Sequence, residues 1–159
     1  IPVFAEKVLY VDPVAMGLLA GASGFGSLFG SIFIAAKRNI RSKSAYYSGG
    51  TLLSLGLLFL FSFSRNYPVS LILQVLSGVS TAAFGAMQAT LILLYAKEEM
   101  RGRAMGILSL AIGAEPIGGI LLGVLAEILD PSSAVGLVTG VGLILTVGWV
   151  VLAKEMRRL

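Results

Sequence analysis

The chain has no cysteine and no histidine. Without cysteine, neither a disulfide nor a thiolate metal site can form within it. Without histidine, the commonest general base and the commonest metal ligand are also missing. We therefore expect no catalytic centre, no metal site and no cofactor in this segment.

Charged side chains are scarce. They make up 13% of the 159 residues, whereas hydrophobic residues make up 57% and the mean hydropathy is +0.93. A soluble domain carries about 25% charged residues, because its surface must face water. Most of the surface of this chain must instead face something apolar, and the lipid bilayer is the partner that we expect.

Five long apolar runs, separated by short polar links, account for this composition. Each is long enough to cross a bilayer core of roughly 30 Å as a helix, and the alternation that membrane strands require is absent. The sequence therefore predicts an all-α membrane protein with an N-terminal connector, five spans that form one membrane domain over 14–153, and a short tail. The predicted ranges are 1–13 for the connector, 14–36, 45–63, 69–95, 104–129 and 134–153 for the spans, and 154–159 for the tail.

Basic residues predict the orientation of these spans. Ten of the twelve fall on one side of the predicted membrane, in two connectors and the tail: Lys37, Arg38, Arg41, Lys43, Lys97, Arg101, Arg103, Lys154, Arg157 and Arg158. The opposite side holds only Lys7 and Arg65. The positive-inside rule then places the N-terminal end outside and the C-terminus in the cytoplasm. Because this clustering explains the net charge of +4, we expect no nucleic-acid partner.

Small residues recur four apart in several spans. The sets are Ala22, Gly26 and Gly30; Gly17 and Gly21; Gly119 and Gly123; Gly136 and Gly140. Small side chains at this spacing let helix backbones approach closely, so the sets predict tight helix contacts.

Polar side chains predict which spans line a cavity, because a polar group in hydrocarbon is costly unless it has a partner or meets water. Spans one, three and four each carry a polar face, so we expect them to line a cavity. Spans two and five carry no amide or charge in their interior, so we expect them to face lipid. A serine can also bond to a carbonyl of its own helix, so the serines are weaker evidence than the glutamines. The predicted cavity residues are Ser23, Ser27, Gln74, Ser77, Thr81 and Gln88.

Glu115 lies near the middle of the fourth span, directly before Pro116. An ionised acid at that depth costs about 3 kcal/mol on insertion scales. A carboxyl that gains and loses a proton inside the membrane is the usual device for proton coupling, which is the role that we predict. The alternative is a structural acid that takes up a backbone donor freed at the Pro116 break or pairs with Gln88. Glu127 is expected to lie at the membrane boundary.

Two enzymatic interpretations fail on residue type. Residues 21–24, GASG, match the GxSG pattern of intramembrane serine proteases, but that chemistry needs a histidine to activate the serine. No phosphate-binding Walker loop is present, so this segment cannot itself use ATP. We expect that the chain is not an enzyme.

The connector KEEMRGRAMG at 97–106, followed by EPIGG at 115–119 and by Gly123, resembles the C-terminal half of major facilitator superfamily transporters. The similarity is greatest to the enterobactin and macrolide efflux type of exporter. It implies that the five spans are spans eight to twelve, forming most of the C-terminal six-helix bundle, and that residues 1–13 follow a missing seventh span. It also implies a missing N-terminal half as partner and a location in the prokaryotic plasma membrane.

The resemblance gives the leading hypothesis of a proton-coupled exporter of small amphipathic molecules, working by alternating access. Its partners are a small-molecule substrate, protons and the other half. Arg101 and Arg103 either act at an inner gate or anchor the loop. The alternative is a non-transporting membrane interaction subunit or a truncated gene product.

Overall fold

The computed structural model describes residues 2–36 and 43–152, with side chains at 3–36 and 44–152. Regular structure in these ranges is helical throughout and comprises seven α-helices and one short 3-10 turn, Glu98–Met100. The helices are α1 Pro2–Lys7, α2 Pro13–Ala36, α3 Lys43–Phe63, α4 Tyr67–Tyr95, α5 Arg101–Gly113, α6 Glu115–Ile128 and α7 Pro131–Leu152. With the stretch from the 3-10 turn through α6 taken as one span, five helical segments are long and apolar enough to cross a membrane. The predicted all-α membrane fold is confirmed.

Proline starts helices here. The sequence interpretation assigned Pro13, Pro68 and Pro131 to links, yet each lies in the first turn of α2, α4 or α7. Proline suits this position because its missing N–H has no partner at a helix start and its φ is already helical. Asp12 caps α2 by accepting a hydrogen bond from the backbone N–H of Ala15 (2.8 Å), so the helices begin earlier than their first apolar residues suggest.

The fourth span is two helices. α5 ends at Gly113 and α6 begins at Glu115, so the interruption falls at Ala114, two residues before Pro116. Pro116 has no N–H to donate to the carbonyl four residues back, and the N–H of Ile117 bonds instead to the carbonyl of Ala114 (3.0 Å), three residues back. The proline therefore disrupts the helical turn that precedes it. For this reason the break lies at Ala114 and not at Pro116, where it was predicted.

The spans are packed in the order α2, α4, α3, α7, with α4 between α2 and α3, and α3 between α4 and α7. α6 lies against α7, while α5 meets α4 near the turn that joins them. α3 therefore has helices on two sides, and the expectation that span two faces lipid stays a prediction for the rest of its surface. Tyr47 of α3 stacks on Phe84 of α4 with ring centroids 5.2 Å apart, a contact that spacing within one helix cannot reveal.

Glycines bring α2 and α4 into backbone contact. A Cβ added at Gly78 would collide with the carbonyl of Ser23, and one added at Gly26 would collide with the carbonyl of Val75. At Gly30 the added atom would lie 2.7 Å from the carbonyl oxygen of Val79. The predicted close packing at Gly26 and Gly30 is confirmed, as Ala22 on the same stripe is also buried.

The other small-residue pairs differ in whether they make a close helix contact. Gly140 meets the Phe59 ring of α3 at 3.3 Å and Gly136 meets Ser62 at 3.0 Å, measured from the position a Cβ would take. The predicted contact at this pair is therefore confirmed. At four other glycines nothing in the described chain lies within 4 Å of that position: Gly17, Gly21, Gly119 and Gly123. The predicted contacts are absent there.

The short helix α1 is packed into one end of the bundle. Phe4 and Ala5 are 2% and 0% exposed, and Phe4 stacks on Phe61 with ring centroids 4.5 Å apart. Leu19 of α2 completes this buried cluster. The Tyr67 hydroxyl at the start of α4 donates to the carbonyl of Ala15 in α2 (3.0 Å) at the same end. We call this the Arg65 end, after the arginine in the α3–α4 link, and the opposite end, where α5 starts, the Arg103 end.

Most of the basic residues that predict the orientation lie outside the described residues. Residues 37–42 and 153–159 hold six of the ten basic residues on the predicted cytoplasmic side. Of the remaining four, Lys97, Arg101 and Arg103 are exposed at the Arg103 end.

Candidate functional site

Two serines of α2 lie along its contact with α4. Ser23 and Ser27 are half-buried, and their backbone atoms pass beside Gly78. Their hydroxyls bond within α2, Ser23 to the carbonyl of Ala20 (3.3 Å) and Ser27 to that of Gly24 (2.8 Å). A hydroxyl that satisfies itself on its own helix can lie in an apolar contact at low cost, so these serines need no cavity.

The predicted polar face of α4 changes from buried to open along the helix. Gln74 and Ser77, in the half of α4 nearer the Arg65 end, are 2% and 4% exposed. Further along, Thr81 is exposed and Gln88 is half-buried. The stripe is one face, as the spacing predicts, but only its second half is open among the described helices.

Gln74 is the unsatisfied member of this face. Its side-chain nitrogen Nε2 is buried and has no hydrogen-bond partner within the described residues. A buried donor without a partner costs about 1–3 kcal/mol, and native structures hold few of them. Such a donor commonly meets a water or a ligand acceptor.

Thr81 joins the stripe to α3. Its hydroxyl donates to the carbonyl of Ser77 (2.9 Å), and its Oγ1 lies 3.3 Å from Oγ of Ser54 on α3. The sequence interpretation did not place Ser54 in the site. No spacing within one helix could have found it, because the contact depends on how α3 and α4 are packed.

Glu115 is the first residue of α6 and is exposed. It lies close to the midpoint of the span that runs from Glu98 to Ile128. The N–H groups of Ala114 and Ile117 beside it are already bonded to carbonyls of the preceding turn. In the portion of the chain given by the structure, no hydrogen bond joins Glu115 to Gln88, so the pairing alternative does not occur.

The predicted site residues form two groups. Ser23, Ser27 and the α4 stripe lie in or beside the α2–α4–α3 contact, while Glu115 is on α6, whose neighbours are α5 and α7. Only Leu108 and Ala126 are buried on α5 and α6, so the broken span presents most of its surface outward. Arg101 and Arg103 are exposed in the first turn of α5, at the Arg103 end.

A family model matches nearly the whole chain. It is described as Major Facilitator Superfamily and covers residues 1–158. Comparisons with curated proteins and with solved structures found no match. Five membrane-spanning segments and a family match of this extent agree, so the chain belongs to the major facilitator superfamily and is an integral membrane protein of the transporter type.

Proposed function

We propose that this chain is the C-terminal half of a proton-coupled exporter of small amphipathic molecules, and that its five spans are spans eight to twelve. The other half of the transporter, the substrate and protons are its partners, in the plasma membrane of a prokaryote. Residues 1–13 then form the outer connector after span seven, and the tail lies in the cytoplasm. Transport proceeds by alternating access, with the two halves rocking about a central path.

Glu115 is the observation that carries the proton-coupling proposal. It is the one acid in the interior of a predicted span, since the others lie in connectors, in the tail or near a span end. Its side chain is exposed on the least enclosed part of the bundle, at the start of α6. A carboxyl that gains and loses a proton inside the membrane is the usual device for proton coupling.

The face of α4 supports an amphipathic substrate. Amide and hydroxyl groups of Gln74, Thr81 and Gln88 lie on a helix whose side chains are mostly apolar, so a ligand there meets a few hydrogen-bonding groups and much hydrocarbon. The orphan donor on Gln74 can bond to a carbonyl or ether oxygen of such a ligand. Arg101 and Arg103 anchor the inner loop at the membrane surface or act in its gate.

Transport in cells that lack their own efflux pumps tests the proposal. The transporter that carries this chain is expressed in them, and efflux of a panel of fluorescent amphipathic dyes is followed with and without an imposed pH gradient. We expect gradient-driven efflux of at least one dye in the unchanged protein. Glu115→Gln should lower gradient-driven efflux about tenfold or more, because the proton-carrying group is gone.

Glu127→Gln is the matched control, since Glu127 is also exposed on α6 but lies near its end. We expect it to retain most of the efflux. If Glu115→Gln transports as well as the unchanged protein at every pH gradient, Glu115 does not couple protons. Dye accumulation in cells that express the protein, in place of extrusion, would contradict the exporter direction.

A further inference from the structure

Three separate segments bring charged side chains together at the Arg65 end. Lys7 is at the end of α1, Arg65 is in the link between α3 and α4, and Asp130 directly precedes α7. All three line one cleft of about 240 Å³. Lys7 and Arg65 are the two basic residues that the sequence places on the sparsely charged side, so both cations of that side meet at one place.

A larger cleft of about 580 Å³ shares Arg65, Asp130 and Ser132 with the first. It continues along the surface between α3 and α7, where Phe59, Phe63 and Leu137 line it. Phe63 and Leu137 are 68% and 51% exposed, so this part is an open apolar surface. Together the two clefts have charges of both signs at the Arg65 end and an apolar surface along the membrane-spanning helices α3 and α7.

The carboxylate of Asp130 is fixed in place. Its Oδ1 accepts hydrogen bonds from the backbone N–H groups of Ser132 (2.9 Å) and Ser133 (3.1 Å). Hydrogen bonds from Ser133 and then Ser132, together with the charge of Arg65, hold the pKa of Asp130 below its ordinary value of 3.8. The Ser133 side chain adds a further hydrogen bond, and the group is therefore ionised at neutral pH.

We propose that this cleft binds a phospholipid whose headgroup has both a phosphate and a primary ammonium. Lys7 and Arg65 bind the phosphate, Asp130 accepts a hydrogen bond from the ammonium, and one acyl chain lies along Phe59, Phe63 and Leu137. Charge complementarity selects this class: an anionic lipid without an amine leaves Asp130 unpaired beside its negative charge. A trimethylammonium lipid has no N–H to donate.

Native mass spectrometry of the purified, delipidated protein tests the site. Short-chain phosphatidylethanolamine, phosphatidylcholine and phosphatidylglycerol are added in turn, and bound lipid is counted. We expect phosphatidylethanolamine to bind about tenfold more tightly than the other two, the weight of one charge-assisted hydrogen bond. Arg65→Gln should weaken all three lipids, and Arg65→Lys should restore binding.

Asp130→Asn gives the sharper result, because the two lipid classes should move in opposite directions. The amide still caps α7 and tolerates the φ of 125° at this position, so folding is preserved. Phosphatidylethanolamine should lose its advantage and phosphatidylglycerol should bind more tightly than before. Lys97→Gln, an exposed cation at the Arg103 end, is the control and should bind as the unchanged protein does.

Two results would overturn the proposal. One is equal binding of the three lipids by the unchanged protein. The other is an unaltered preference for phosphatidylethanolamine in Asp130→Asn, checked by an unchanged unfolding temperature.

Discussion

Single polar residues in the spans are mostly satisfied on their own helix. Thr90, Thr139 and Thr146, for example, each donate to the carbonyl four residues back at 2.6–2.7 Å. Because this local bonding makes serines and threonines inexpensive in a membrane helix, a stripe of them does not by itself predict a cavity. Gln74 differs, since an amide has two donors and cannot bond in the same way to its own turn.

Replacing Gln74 by methionine should stabilise the protein and impair transport at once. Methionine has a similar volume and removes the buried, unsatisfied Nε2 donor, whose burial costs about 1–3 kcal/mol. We therefore expect a higher unfolding temperature in detergent together with slower dye efflux, since the donor for the solute is lost.

Gln88→Met is the control for this prediction, because Gln88 lies on the same face but is only half-buried. Its unfolding temperature should change little. A lower unfolding temperature for Gln74→Met would mean that the amide is satisfied in the folded protein, which removes this argument for a solute path.

At the level of the helix, the sequence predicted which helices form better than it predicted which helices pack against each other. All five spans and the contact made by Gly26 and Gly30 were foreseen, because apolar length and small-residue spacing are properties of one segment. Pairings such as Tyr47 with Phe84, and Thr81 with Ser54, depend on two segments at once. The break at Ala114 was foreseen only to within two residues, since a proline disturbs the turn that precedes it.

Two glycines of α4 should respond oppositely to alanine. A Cβ at Gly78 would collide with the backbone carbonyl of Ser23, and backbone cannot move aside as a side chain can. We expect Gly78→Ala to destabilise the protein by about 1–3 kcal/mol, the usual range for overpacking. Thermal unfolding followed by size-exclusion chromatography measures the loss.

Gly85 lies two turns further along α4, with nothing in the described structure within 4 Å of an added Cβ. Gly85→Ala should be neutral, or stabilising by about 0.5–1 kcal/mol through helix propensity. Equal losses for the two variants would show that α2 and α4 do not meet as closely as described.

In the whole molecule, the α2–α4–α3–α7 bundle is joined to the broken span chiefly through α7. This arrangement gives a close-packed unit that presents the open half of the α4 polar face, and a more loosely attached span that carries Glu115. The family could be predicted from the sequence because the loop motif and the proline motif each lie within one short segment. It could not find the cleft at the Arg65 end, whose charges come from three distant segments.

Accessibility of the α4 face tests the account most directly, and because the chain has no cysteine, a thiol introduced into it is the only one that it carries. Thr81→Cys places a thiol on the open polar face; Ala83→Cys places one about half a turn away, in the apolar groove between α2 and α3. We predict that a membrane-impermeant thiol reagent labels Thr81→Cys, whereas Ala83→Cys stays unlabelled. An imposed pH gradient should change the labelling rate of Thr81→Cys. Adding Glu115→Gln should make that rate insensitive to the gradient. If Thr81→Cys is as inert as Ala83→Cys from both sides of the membrane, the α4 face does not line a solute path and the central claim is wrong.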